Sequence, residues 1–164
     1  MAIEPPRSAS EAETLTGFLE FYRQSVVEAV RGLDRDALAY SPVASDSSPG
    51  GIVKHLAYVE RWWFQDVLGG RDVEYPYTRD DPDADFRIEP GETAESLIEL
   101  YERECAVARE VVASRPDLDA MYETPRNPVS LRWILVHMIE ETARHAGHID
   151  ILNELYAADA SDRA

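Results

Sequence analysis

Apolar residues recur at helical spacing along four stretches of the chain. In the first, Leu15, Phe18, Leu19, Tyr22, Val26, Val30 and Leu33 line one face. Ser10-x-x-Glu13 stands at its start as a capping box, in which the serine oxygen accepts from the third amide and the glutamate reaches back. This predicts a helix over about 11–32, with Gly32 near its end. Ile52, Leu56, Val59, Trp63 and Val67 predict a second over about 50–68, stopping at Gly69-Gly70. Leu97, Tyr101, Cys105, Ala108 and Val112 predict a third over about 93–114, ahead of Pro116. Leu131, Ile134, Leu135, Met138, Ile149, Leu152 and Tyr156 predict a fourth over about 130–156, just after Pro128.

No stretch alternates convincingly as a strand. The proline- and acid-rich segments 34–48, 70–91 and 115–128 read as loops. The longest, 71–91, exceeds the 2–8 residues usual between antiparallel bundle helices. Extended chain covers about 3.3 Å per residue, so such a segment can run back along a bundle. The expectation is an all-α four-helix bundle with a long crossover between the second and third helices, as one domain over 1–164. The polar tail Ala157–Ala164 is expected to fray.

Composition narrows the class. At 164 residues the chain can bury about two-thirds of its unfolded surface, which suffices for a core without staples. It carries 32 Asp and Glu against 16 Lys and Arg, a formal net charge of −16. Lys54 is its single lysine, so no basic face exists to neutralise phosphates. Nucleic acid is excluded as a partner on that ground, and an anionic membrane surface likewise. One cysteine, Cys105, leaves no intramolecular disulfide and makes a reducing cytoplasm the expected location. The N-terminus lacks a basic-then-apolar signal layout, and no apolar run approaches the roughly 20 residues that span a bilayer.

The fourth helix breaks its own pattern. On a wheel at about 100° per residue with Ile134 at the origin, Leu152 coincides with it and Met138 lies at about 40°. Glu141 falls near −20°, His145 near 20° and His148 near −40°, on the face that should be driest. Buried charges are costly unless paired or bound to metal. Glu141 and His145 are four apart, so both reach one cation from one helix face. A third ligand must come from elsewhere, and His55 is the only histidine outside the fourth helix. His55, Glu141 and His145 are therefore candidate ligands of one ion. Two imidazoles and a carboxylate suit zinc, nickel or iron, with a position left open as in catalytic sites. The competing reading is an ordinary hydrogen-bonded pair with no metal. His137 and His148 stay ambiguous between ligand, outer partner, proton shuttle and plain satisfied histidine.

Other features have bland readings. Trp62, Trp63 and Phe64 could line a pocket, but they are expected in the core, as is Trp133; Arg61, Arg132 and Arg144 could bind a ligand carboxylate or phosphate, but are expected in surface ion pairs; Cys105 is expected as a buried small hydrophobe and not as a nucleophile. Asp80-Asp81-Pro82-Asp83-x-Asp85 lacks the order of a calcium loop and reads as solvated. No phosphate-cradling loop, nucleophile elbow or Cys-x-x-Cys pair is present.

Two segments, Gly50-Gly-Ile-Val-Lys-His-Leu-Ala-Tyr-Val-Glu-Arg-Trp-Trp-Phe64 and Ser130-Leu-Arg-Trp-Ile-Leu-Val-His-Met-Ile-Glu-Glu-Thr-Ala-Arg-His-Ala-Gly-His-Ile-Asp150, resemble the DinB superfamily. The likeness is greatest to its actinobacterial branch, which is similar to the mycothiol-dependent enzymes, and covers roughly residues 10–156. It implies an up-down-down-up bundle and a metal held by His55, Glu141 and His145. A glutamate at 141 looks like the mycothiol-dependent maleylpyruvate isomerase type. Where many members read Arg-Gly-Gln after the last ligand, this chain has Ala146-Gly147-His148. The resemblance also implies a low-molecular-weight thiol as cosubstrate (mycothiol, bacillithiol or glutathione) and a small electrophile, and it allows a homodimer without naming an interface. Three functional readings follow: a divalent-metal-dependent thiol S-transferase, zinc being the first choice of metal; a non-catalytic, stress-related metal-binding bundle; and a metal-free polar network.

Overall fold

Ser10 opens the first helix with both halves of its capping box formed, the Glu13 amide donating to its side chain and the Glu13 carboxylate reaching back. A computed structural model describes residues 2–162. Helix α1 runs Glu11–Val30, a single turn α2 runs Arg35–Leu38, and α3 runs Pro49–Glu60. The α3 backbone continues as a π-helix over Arg61–Val67, so the second predicted helix has its expected extent but not a uniform pitch. A 3-10 turn at Ala84–Phe86 interrupts the crossover, and α4 follows at Ala94–Ala113. Two-residue strands β1 (Met121–Tyr122), inside the segment read as loop, and β2 (Val129–Ser130), at the start of the fourth predicted helix, pair antiparallel. Helix α5 runs Leu131–Asp162, so residues 157–162 continue the helix instead of fraying, while 163–164 lie outside the described residues.

Side-chain contacts fix the helix directions. Arg132 meets Glu11 and Asn153 meets the Ala29 carbonyl, so α5 runs parallel to α1. Lys54 meets Glu92 and Arg61 meets Glu104, so α4 runs parallel to α3. His55 lies beside His145 while Trp63 lies beside Trp133, so α3 opposes α5. The order is up-down-down-up, with the long crossover carrying the chain between the two parallel helices α3 and α4.

The core forms two clusters. One gathers Val26, Leu38, Ile52, Leu56, Leu97, Tyr101 and Ile149, and the other Leu19, Phe64, Ala108, Leu131, Leu135 and Met138. Cys105 is buried in the first, as expected. Between α1 and α3 stands a buried ion pair, with Arg23 Nε donating to Glu60 Oε1 at 2.8 Å and Nη2 to Oε2 at 2.6 Å. The guanidinium also lies 5.6 Å over the Phe64 ring.

Two glycines dock the crossover onto α3. A Cβ built on Gly51 would lie 2.1 Å from the Phe86 carbonyl oxygen, and one on Gly50 2.6 Å from Ile88 Cδ1. Buried Lys54 donates to the Arg87 carbonyl at 2.9 Å and pairs with Glu92. The segment around 84–88 is thereby held against the first turns of α3. Gly51→Ala is expected to lower stability by about 1–3 kcal/mol in urea unfolding, because backbone cannot swing aside as a side chain can. Helix propensity alone would raise stability by up to about 1 kcal/mol, so the sign decides between the two effects.

Candidate metal centre

His55 projects from α3, and Glu141 and His145 from successive turns of α5. The antiparallel packing of these helices places them face to face. One ligand atom from each lies within 4.8 Å of the others. Glu141 Oε1 is 3.1 Å from His145 Nε2 and 3.5 Å from His55 Nε2. The three side chains are 14–18% exposed, sheltered yet reachable.

Asp85 completes the arrangement. Its Oδ2 accepts from His55 Nδ1 at 2.8 Å, and its side chain is buried. That bond fixes the tautomer and turns Nε2 toward Glu141. Phe86 stacks on the His55 ring at 4.0 Å between centroids and 18° between planes. The acid run 80–85 is thus not wholly solvated, since its last member is inside the structure and bound to a site histidine. The sequence signal was faint: Asp85 lies 30 residues from His55, and the two meet through the docking of the crossover on Gly50, Gly51 and Lys54.

Electrostatics follow from these contacts. The His145 and His55 rings beside Glu141 hold its carboxyl well below the usual range, outweighing burial. Burial disfavours charge on His55, but its bonds to Asp85 and Glu141 win and raise its pKa above the ordinary value. In the metal-free protein the His55 contribution to stability is complete below the unfolded value of about 6.5, and is lost as pH rises through the higher folded value. A proton on His55 would compete with a cation at this position, so any metal affinity of the cluster should fall as pH falls.

The donor set fits a divalent cation. Ligands about 2.1 Å from a tetrahedral ion stand roughly 3.4 Å apart, and Glu141 Oε1 sits at 3.1 and 3.5 Å from the two imidazole nitrogens. The buried His145 Nδ1 has no hydrogen-bond partner, so nothing but Glu141 engages that ring by hydrogen bonding. Among the described residues, His137 and His148 lie outside this cluster. His137 stacks on Trp133 at 5.0 Å and stands 3.7 Å from Glu140. His148 is exposed and meets the His145 ring edge-on at 5.5 Å.

The tryptophans divide. Trp63 is buried, Trp62 is half-buried, and Trp133 is 47% exposed, so the last is not a core residue. Arg61, Arg132 and Arg144 pair with Glu104, Glu11 and Glu140.

The sequence model of the mycothiol S-transferase family matches residues 14–158. The chain belongs to that family. No curated protein matches it. Among solved structures, a DinB-like protein from Bacillus cereus ATCC 10987 superposes with a TM-score of 0.64 at 15% identity, covering 87% of this chain and 92% of its own. At that identity the likeness bears on the fold, which is DinB-like. Among the described residues of this family member, no helix is long and apolar enough to cross a membrane.

Asp85→Asn is expected to keep the fold but lose the charge that favours the His55 Nδ1–H. Zinc affinity should weaken about 10–100-fold by competition with a chelating dye, the usual cost of losing an outer partner of a ligating histidine.

Proposed function

We propose that this protein is a divalent-metal-dependent thiol S-transferase that activates a low-molecular-weight thiol, mycothiol first, for attack on a small electrophile. The observation that supports it most is the convergence of His55, Glu141 and His145 in a chain of the mycothiol S-transferase family. These three residues would hold the ion, zinc by preference, with nickel or iron compatible with the same donors. A bound divalent cation would favour the thiolate, which is the nucleophilic form of a thiol.

The chain's own residues do the rest. Asp85 orients His55, and Phe86 holds the ring against rotation by stacking. Glu141 bridges the two histidines and lowers the net charge of the site. Exposed His148, edge-on to His145, is placed to pass the thiol proton to solvent. With monochlorobimane as electrophile, a carbon–sulfur bond forms, and the carbon–chlorine bond breaks with its electron pair leaving as chloride. A reduced thiol cosubstrate and the buried Cys105 both suit a reducing cytoplasm.

Untagged protein should purify with, or take up, about one divalent ion per chain. Loaded protein should conjugate mycothiol to monochlorobimane faster than the uncatalysed rate, followed by fluorescence. Metal uptake without conjugation across mycothiol, bacillithiol and glutathione would favour a non-catalytic metal-binding bundle. No uptake would overturn both metal readings and leave the polar network.

A further inference from the structure

Beside the metal centre a cavity of about 300 Å³ opens between α3 and the crossover. It shares His55 with the ligand set. Its walls include the flat rings of Trp62, Tyr77 and Phe86, and its polar edge is Asp83 and Asp85 with His55. Among the described residues, no lysine or arginine lines it. Arg61 is drawn away into Glu104 and the Glu74 carbonyl, and Lys54 into Glu92 and the Arg87 carbonyl.

Charge makes this lining selective. A divalent cation on His55, Glu141 and His145 brings two positive charges against the carboxylates of Glu141, Asp85 and Asp83. The locality is negative by one, and a bound thiolate deepens that. An anionic electrophile would enter against this field with no cation to receive it. A neutral ring would meet three aromatic side chains, with Phe86 already backed by the His55 ring and Tyr77 by the Tyr75 ring.

We infer that this cavity receives the electrophile and selects uncharged, flat aromatic molecules over anionic ones such as small dicarboxylates. The inference rests on the reading of the adjoining centre as the place of thiol activation. Tyr77 adds a directional element. Burial, then the nearby Asp85 and Asp66, push its phenol up to about 12, so it remains a hydrogen-bond donor for a neutral carbonyl on the ring.

The test is equilibrium binding, which needs no turnover. An unreactive tetramethyl bimane and a naphthalene disulfonate of comparable size are titrated into metal-free and zinc-loaded protein, following quenching of tryptophan emission and, independently, calorimetric heat. The neutral probe should bind at least tenfold more tightly than the anion in both forms. Trp62→Ala should weaken it at least tenfold. Asp83→Asn, an exposed substitution that leaves the fold alone, should narrow the gap between the two probes severalfold. Equal or tighter binding of the anion, or indifference to both variants, overturns the inference. If the neutral probe binds as expected while no thiol is conjugated, the cavity's preference for neutral flat rings stands, but the transferase reading falls and with it the role of that ligand as electrophile. If conjugation occurs while binding ignores charge, the reverse holds.

Discussion

His145→Ala is expected to abolish metal binding at the proposed centre. The loss in zinc affinity should exceed about 100-fold, since even outer partners of a metal ligand are worth 10–100-fold. Elemental analysis of untagged protein should then find well under one ion per chain, and conjugation should drop to the uncatalysed rate. The stability pattern is the sharper readout. A ligand that binds only the folded state adds about 4 kcal/mol when present at a thousand times its dissociation constant. The variant should forfeit that increment in zinc yet stay close to wild type without it. In the metal-free protein the His145 ring makes one hydrogen bond, to Glu141, and leaves Nδ1 without a partner. Equal losses in both conditions would mean that His145 serves packing, and the metal assignment would fail.

Glu60→Ala should unfold the protein more easily whether metal is present or not. Glu60 is 1% exposed and takes both donors of an Arg23 that is 5% exposed. Burial disfavours the Arg23 cation, but Glu60 outweighs this and raises its pKa, so the guanidinium stays charged. Removing the carboxylate leaves a buried cation with a long contact to Glu20, at 3.5 Å, and the Phe64 ring face. Breaking one side of such a pair costs about 3–5 kcal/mol. For a chain of this size each kcal/mol moves the melting temperature by about 2–4 °C, so a drop of roughly 6–20 °C is expected by calorimetry. The double change Arg23→Met with Glu60→Leu should recover most of the loss, because apolar replacement of a whole buried pair is often neutral or stabilising. A single variant within 1 kcal/mol of wild type, roughly the worth of an exposed pair, would show the pair to be solvated in solution.

The rule that exposes Glu141 in the sequence marks this pair as well. Arg23 stands four residues after Leu19 and three before Val26, and Glu60 four after Leu56 and three before Trp63. Both occupy stripe positions, as Glu141 does, and helical period alone marks them as buried polar groups. The bundle, the crossover and the capping box were legible because they depend on local period and local chemistry. The π-helical stretch was not, since one extra residue per turn leaves no mark in the composition. Trp62, at the start of that stretch, is half-buried, packing against the core on one side and lining a cavity on the other. Asp85 was hidden for another reason. Its place depends on a contact between a glycine on α3 and the Phe86 carbonyl far along the chain, and pairwise proximity of that kind has no linear signature.

The crossover is two pieces of chain with different freedom. At 78–80 the residues are exposed, and a loop there can double in length for only about 0.6 kcal/mol of added closure entropy. At 84–88 the chain lies on glycines with no room for a Cβ, and a one-residue shift would carry Asp85 off His55. Natural length variation in related chains should therefore collect before residue 83 and stop there. An insertion a few residues later would not lengthen a loop but cut the orienting carboxylate out of the site.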